Sequence, residues 1–331
     1  MELRTLGSTG LVVSPMGLGM AALGRPGYIN LEHALDLERN YIEMAMEERS
    51  YEVLDAAWNA GVRYFDAARS YGLGEKFLGN WLRQRGVSPE SVTVGSKWGY
   101  TYTADWKIHA EVHEIKEHSL ATLQRQWPET LAYLDSYLKL YQIHSATTQS
   151  GVLENRDVLR ELARLKSDGV RIGLTTSGPD QGETVRRALE IRIDGVRLFD
   201  VVQATWNLLE PSVGPALTEA HEAGMGVIVK EALANGRLTE RNKEPGFSRK
   251  LAILGTEARQ LGTSIDALVL AVCLKQPFAN VVLSGATTVD QILSNLQTSR
   301  LNLGQDTLAR LSEFAEPPER YWSTRSKLPW N

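Results

Sequence analysis

Eight short, mainly apolar runs, most of them separated by a longer amphipathic stretch, constrain the fold of this chain more than any other feature. They are "MGLGMAAL" (16–23), "RYFDAA" (63–68), "VTVGSK" (92–97), "YLKLYQIH" (137–144), "RIGLTTS" (171–177), "DVVQAT" (200–205), "GVIVKE" (226–231) and "NVVLSG" (280–285). Most are rich in β-branched or aromatic residues and have the length of a strand. The segments between them, such as "SYEVLDAAWNAG", "NRDVLRELARLKSDG", "GETVRRALEIR" and "TVDQILSNLQTS", read as helices. Several end in the Gly or Asp-Gly that suits a helix C-terminus. Strands joined by helices pair in parallel. Eight such units close a (β/α)8 TIM barrel, but an open doubly wound sheet uses the same alternation, and strand count alone does not separate the two.

The front end departs from that alternation. "LRTLGSTGLVVS" is two extended pieces around a Ser-Thr-Gly turn, which reads as a hairpin closing the N-terminal mouth of a barrel. No low-complexity linker interrupts the sequence, so residues 1–331 are expected to form a single domain. The loops at 24–46 and 235–247 are the long ones, and long loops are often functional. A net charge of −4 with both signs interspersed gives no basis for nucleic-acid binding. The single cysteine, Cys273, lies in the apolar run "DALVLAVCLKQ" and is expected in the core of a protein without an internal disulfide. "MELRTLGSTG" lacks the apolar segment of a secretory signal, and no run approaches the ~20 residues that span a bilayer. A cytoplasmic protein without a membrane partner is expected; its oligomeric state is not written in the sequence.

"RYFDAARSYG" (63–72) sets the chemical question, because a carboxylate where a buried strand ends is costly unless something pairs with it. The residues closing the other strands supply candidates: Lys97, His144, Thr175 with Thr176, Gln203, Lys230 with Glu231, and Gly285. In a barrel these carboxyl ends converge on the face where active sites form. Asp66 and Lys97, on adjacent strands, can pair and offset each other's desolvation. Tyr71, just beyond, can fold back over Lys97, whose charge favours the phenolate and lowers the tyrosine pKa. His144 stands across, placed to hold a carbonyl oxygen by hydrogen bonding.

With these residues in place the chain resembles the aldo-keto reductases over nearly its whole length, from "RTLGSTGLVVSPMGLG" to "SGATTVDQILSNL". The family's tetrad of Asp, Tyr, Lys and His maps onto Asp66 and Tyr71 in "FDAARSYG", Lys97 in "GSKWG" and His144 in "YQIH". The resemblance implies a TIM barrel, a nicotinamide cofactor and hydride transfer to or from a small-molecule carbonyl such as an aldehyde, ketone or sugar. The cofactor it implies is NADP (NADPH), with NAD as the other candidate. It implies that Thr175, with Thr176 beside it, and Gln203 hold the nicotinamide carboxamide. Leu233, Gly236 and Leu238 would line the pyrophosphate, and Gly285, Thr287, Gln291 and Asn295 the adenosine end. Three departures stand out. Lys230-Glu231 replaces an aromatic residue and Ser, and Thr176 replaces an Asn. Gly285, Ala286 and Gln291 replace the Lys, Ser and Arg that grip a 2′-phosphate in many members. The departures imply a smaller margin for NADP(H) over NAD(H), unless Arg249 or Lys250 takes over the phosphate.

Other signals carry less. "GLGMAA" (17–22) matches a dinucleotide fingerprint, but Gly24, Pro26 and Gly27 break the helix it needs. "HAEVHEIKEH" reads as a helical stretch in which His113 and His118 lie roughly 140° apart; His109 and His113 could share a face, but the Glu and Lys around them read as a solvated surface, so no metal site is expected. "GRLTERNKEPGFSRK" is either a solvated loop or a contact to cofactor phosphates. Trp98, Tyr100, Tyr102, Trp106 and Trp206 follow strand ends and the tail adds Tyr321, Trp322 and Trp330, so substrates with apolar or ring-like bodies are expected, with Trp98 and Trp206 at the substrate. Two other functions compete: a nucleotide-binding regulatory subunit with little turnover, and a lyase using Lys97 for a Schiff base.

Overall fold

The computed structural model describes residues 1–331, the side chains of residues 299 and 300 excepted. All eight expected runs contain a strand: β1 (Met16–Gly19), β2 (Tyr64–Asp66), β3 (Thr93–Trp98), β4 (Leu138–Ala146), β5 (Arg171–Thr176), β6 (Val201–Thr205), β7 (Gly226–Lys230) and β8 (Val281–Ser284). Each pairs in parallel with the next, and β8 pairs with β1, so the sheet closes on itself. Closure decides between the two architectures: this is a (β/α)8 barrel.

Helices return the chain between strands and cover the outside: α1 (Glu43–Asn59), α2 (Gly74–Gln84), α3 (Leu120–Leu134), α4 (Arg156–Ser167), α5 (Gln181–Glu190) and α6 (Gly214–Glu222). After β7 come α7 (Ser248–Gln260) and α8 (Ile265–Leu274), then α9 (Val289–Asn295), α10 (Gln305–Ser312) and α11 (Pro318–Ser326). In α4 the buried residues are Val158, Leu159, Leu162 and Leu165, a stripe at helical spacing that seals one face against the sheet. Asn155 caps its first turn by accepting from the Val158 amide at 3.2 Å. Cys273 is fully buried in α8, as its apolar setting implies. Among the described residues no helix is long and apolar enough to cross a membrane.

The hairpin forms between Arg4–Thr5 and Val12–Val13. Its Leu6 and Val13 join Tyr64, Leu140, Val201, Ile228 and Val281 in a core separate from the one beneath the helices. These five come from near the starts of five barrel strands, so the hairpin plugs the N-terminal end. Tyr64 fits inside because Gly95 faces it; a Cβ there would lie 2.6 Å from the phenol oxygen. One stretch differs from the sequence reading. Residues 109–118 are not helical: Glu114–Lys116 pairs antiparallel with Tyr100–Tyr102. The alternation of "EVHEIK" suits a half-exposed ribbon as well as a helix, and Tyr100–Tyr102 offers an edge to complete it.

Candidate active site

Strand register brings the tetrad together. Asp66 pairs with Gly95 across β2 and β3, which places Lys97 one inward step further up the barrel. Lys97 and Asp66 are both fully buried and their charged ends touch. The ammonium also donates to the Ala67 carbonyl at 2.9 Å and to Tyr71 Oη at 3.2 Å, which uses all three of its protons. The second Asp66 oxygen accepts from Gln203 Nε2 at 2.9 Å and Tyr64 Oη at 3.2 Å. Tyr71 is set by a close approach of two loops. A Cβ on Gly24 would lie 2.3 Å from the Tyr71 carbonyl oxygen, so only glycine lets the loop after β1 support this turn.

His144 meets Tyr71 edge to face, ring centres 5.5 Å apart, and its Nδ1 lies 3.4 Å from Ser70 Oγ. The ladder between β4 and β5 breaks just past Ile143, and Ser145 adopts a left-handed φ of 56°. The hydroxyl of Thr175 accepts from the Ser145 amide at 2.7 Å and holds that kink. From outside, His118 Nε2 bonds the His144 carbonyl at 2.9 Å.

Burial dominates the electrostatics. It pushes the Tyr71 phenol well above its ordinary pKa, with Asp66 adding to the rise and Arg25 opposing it. The expected lowering by Lys97 is absent, since Asp66 in direct contact compensates that charge and desolvation prevails. Burial likewise pushes His144 well below its ordinary value, helped by Lys97, Lys230 and Arg25. At neutral pH the pair is therefore a protonated phenol beside a neutral imidazole. Burial lowers Lys230 to about 8, against the pull of Glu231. Its Nζ donates to Thr205 Oγ1 at 2.8 Å and lies 3.6 Å from Glu231. Glu231 is held down at about 2: burial raises it, but Arg325 and Lys230 outweigh burial. Arg325, on α11, grips it with two bonds of 2.8 and 2.5 Å.

These groups open into one cleft of about 350 Å³. It runs from Tyr71, Tyr100, His144 and Trp330 past Gln203, Lys230 and Leu233 to Gly236, Gly285, Gln291 and Asn295. Both long loops contribute, through Arg25, Tyr28 and Asp36 from one and Asn235, Thr239 and Arg241 from the other.

Residues 15–316 match the model of the Aldo/keto reductase family. This chain belongs to that family. Among curated proteins it is 26% identical to Protein tas of Escherichia coli over 94% of this chain and 96% of that one. It is also 26% identical to L-galactose dehydrogenase of Arabidopsis thaliana, over 96% and 95%. Among solved structures, the holo form of an aldo-keto reductase from Bacillus halodurans superposes with a TM-score of 0.72 at 22% identity, over 96% of this chain and 97% of that one.

Against that aldo/keto reductase background the remaining expected site residues divide. Gln203, Lys230, Glu231, Leu233, Gly236, Gly285, Gln291 and Asn295 face the cleft. Thr287 lies just behind, bonded to Asp36. Thr176 does not face it: one step beyond Thr175, it points to the helix side, where its hydroxyl bonds Gln181 Oε1 at 3.3 Å. Leu238 is fully buried behind the lining. The same alternation removes both tryptophans expected at the substrate. Trp98 follows the inward Lys97 and packs outside the barrel against His118, ring centres 5.7 Å apart. Trp206 follows the inward Thr205 and packs against Phe278. Tyr100 and Trp330 line the cleft instead. Among the described residues no group of His, Cys, Asp and Glu could hold a metal ion.

Sequence reasoning missed Arg25, Asp36, Glu114 and Arg325 and reached Arg241 only as part of "GRLTERNKEPGFSRK"; all five face the cleft. Arg25, Asp36 and Arg241 come from loops, where no period marks direction, whereas Arg325 on α11 and Glu114 on the small ribbon take their direction from distant partners, Glu231 and Arg25. For Arg25 and Asp36 the one available signal was the length of the 24–46 loop.

Proposed function

We propose that this chain interconverts a small-molecule carbonyl compound and its alcohol, with Tyr71 as the proton donor in reduction. The observation that carries the reading is the Lys97 ammonium held between Asp66 and Tyr71 Oη, 3.2 Å from the latter. A nicotinamide nucleotide, when bound, supplies or takes up the hydride. The cleft fits such a nucleotide, because two of its lining residues, Asn235 and Asn295, each keep a buried side-chain oxygen without a partner. Gln203, Lys230, Leu233, Gly236, Gly285, Gln291 and Asn295 would hold it.

His144, neutral, donates an N–H bond to the carbonyl oxygen and turns it toward Tyr71. Tyr71 then gives its proton to that oxygen, and the phenolate left behind is met by Lys97. Asp66 keeps Lys97 charged and in place through the exchange. Arg25, Glu114 and Lys230 beside Tyr100 and Trp330 form a polar and aromatic wall. Such a wall suits a hydroxylated carbonyl compound such as a sugar, which donates and accepts along its edge and presents an apolar face to a ring. The name of the relative L-galactose dehydrogenase supports this class.

A Schiff-base lyase is a poorer reading, since Lys97 is fully buried and its three protons are all engaged. The test is a screen of aldehydes, ketones, sugars and pyridoxal with each reduced and oxidised nicotinamide nucleotide, wild type against Tyr71→Phe. Turnover with at least one substrate, abolished in Tyr71→Phe, is expected. Bound nucleotide without turnover across the screen would favour a regulatory subunit.

A further inference from the structure

The far end of the cleft is built around a carboxylate that the sequence reading did not single out. Asp36 closes a short turn, His33–Asp36, in the loop after β1, and faces the cleft. It accepts from Arg241 Nη1 at 2.7 Å and Nη2 at 2.5 Å, from Thr287 Oγ1 at 2.9 Å and from Gln291 Nε2 at 2.9 Å. Thr287 and Gln291 are two of the residues assigned to the adenosine end, so this carboxylate stands where the adenosine ribose would be read. Burial pushes Asp36 up, but the bonds from Arg241 and Gln291 hold it below the usual carboxylate range, and it is charged at neutral pH.

A 2′-phosphate needs uncommitted cations. Among the described residues lining the cleft, Arg25, Lys230 and Arg325 are engaged at Glu114 and Glu231. Arg241 is the cation at the Asp36 end, and both of its terminal nitrogens are on Asp36. Asp266 adds a second carboxyl group to the same lining. The cations proposed as substitutes are elsewhere: Arg249 is exposed, and Lys250 donates to the Phe314 carbonyl at 2.7 Å. A phosphate here would meet Asp36 at close range or have to strip Arg241 from it. A ribose hydroxyl, in contrast, can donate to Asp36 in a charge-assisted bond, the chemistry by which an acidic side chain recognises a 2′-hydroxyl elsewhere.

We propose that Asp36, anchored by Arg241, Thr287 and Gln291, selects a 2′-hydroxyl over a 2′-phosphate, so that this chain uses NAD(H) in preference to NADP(H). This reverses the nucleotide preference expected from the sequence and rests on the nicotinamide reading of the cleft. The experiment is equilibrium titration of the full chain with NADH and NADPH, without substrate, for wild type, Asp36→Asn and Asp36→Ser. Wild type should bind NADH at least tenfold more tightly than NADPH. Both substitutions should free Arg241 and tighten NADPH at least tenfold while moving NADH less. Wild-type binding that is equal for the two, or tighter for NADPH, overturns the inference without any variant. So does a substitution that shifts both nucleotides by one factor. Binding of neither nucleotide overturns this inference and the nicotinamide reading together; selective NADH binding without turnover supports this inference and overturns only the proposed catalysis.

Discussion

A single phenol proton separates the two directions of the proposed reaction. Burial keeps Tyr71 protonated through neutral pH, because its pKa lies well above the ordinary phenol value. Reduction, which needs the proton, should therefore be flat across neutral pH and fall only in strong alkali. Oxidation needs the phenolate and should climb steadily as pH rises. Opposed pH–rate profiles in the two directions are the measurement; parallel profiles would assign the proton to another group. Tyr71→Phe removes the donor and leaves the lining of the cleft. Turnover should fall ~10²-fold or more while nucleotide affinity stays within a few-fold. Turnover near the wild-type rate would remove Tyr71 from its role.

Elements act on the site through their ends and loops. Gly24→Ala places a methyl group 2.3 Å from the Tyr71 carbonyl oxygen, so the loop after β1 or the Tyr71 turn must give way. A loss of ~1–3 kcal/mol of stability is expected, with a larger loss of kcat than of nucleotide affinity. Thermal melts beside steady-state kinetics separate the two effects. At the other wall, α11 is fastened by Arg325 on Glu231. Glu231 titrates near 2 in the fold against an ordinary 4.5. Its folded pKa is depressed, so its contribution is complete above the ordinary value and is lost as pH falls from there toward 2. Wild type should therefore lose more melting temperature between about pH 6 and pH 3 than Glu231→Gln, whose profile is flatter because the titrating group is gone. Equal slopes would mean that other carboxylates govern acid stability.

For the whole molecule, the barrel separates its stability devices from its chemistry along the axis. The hairpin plug sits at the N-terminal end and the tetrad at the carboxyl ends of the strands. Leu6 is fully buried in the plug core with Tyr64, Leu140 and Ile228. Leu6→Ala should lower stability by ~2–5 kcal/mol through lost burial and an unfilled cavity. Activity per folded molecule should stay within about twofold when measured well below the melting temperature. Urea unfolding with parallel kinetics checks both; a catalytic loss out of proportion to stability would show that the two ends are coupled.

The eight strands were legible because strands buried on both faces read as short, nearly continuous apolar runs, a signal that needs no knowledge of partners. Asp66, Lys97 and His144 were legible for a related reason, since a charged or polar residue closing an apolar run breaks the signal at a fixed place. Closure of the sheet was not legible: it depends on β8 meeting β1, a pairing between segments more than 260 residues apart. The direction of Trp98, Thr176 and Trp206 follows from strand alternation once the phase is known, yet a residue type alone does not state which face it takes. Asp36 and Arg241 lie on loops, which carry no period, and Arg325 lies on α11; the partners that fix all three come from distant parts of the chain. The sign of the Tyr71 shift was decided by tertiary structure too. The sequence supplied the ammonium beside the phenol, but only the packed barrel set how much water was removed and how completely Asp66 cancels that charge.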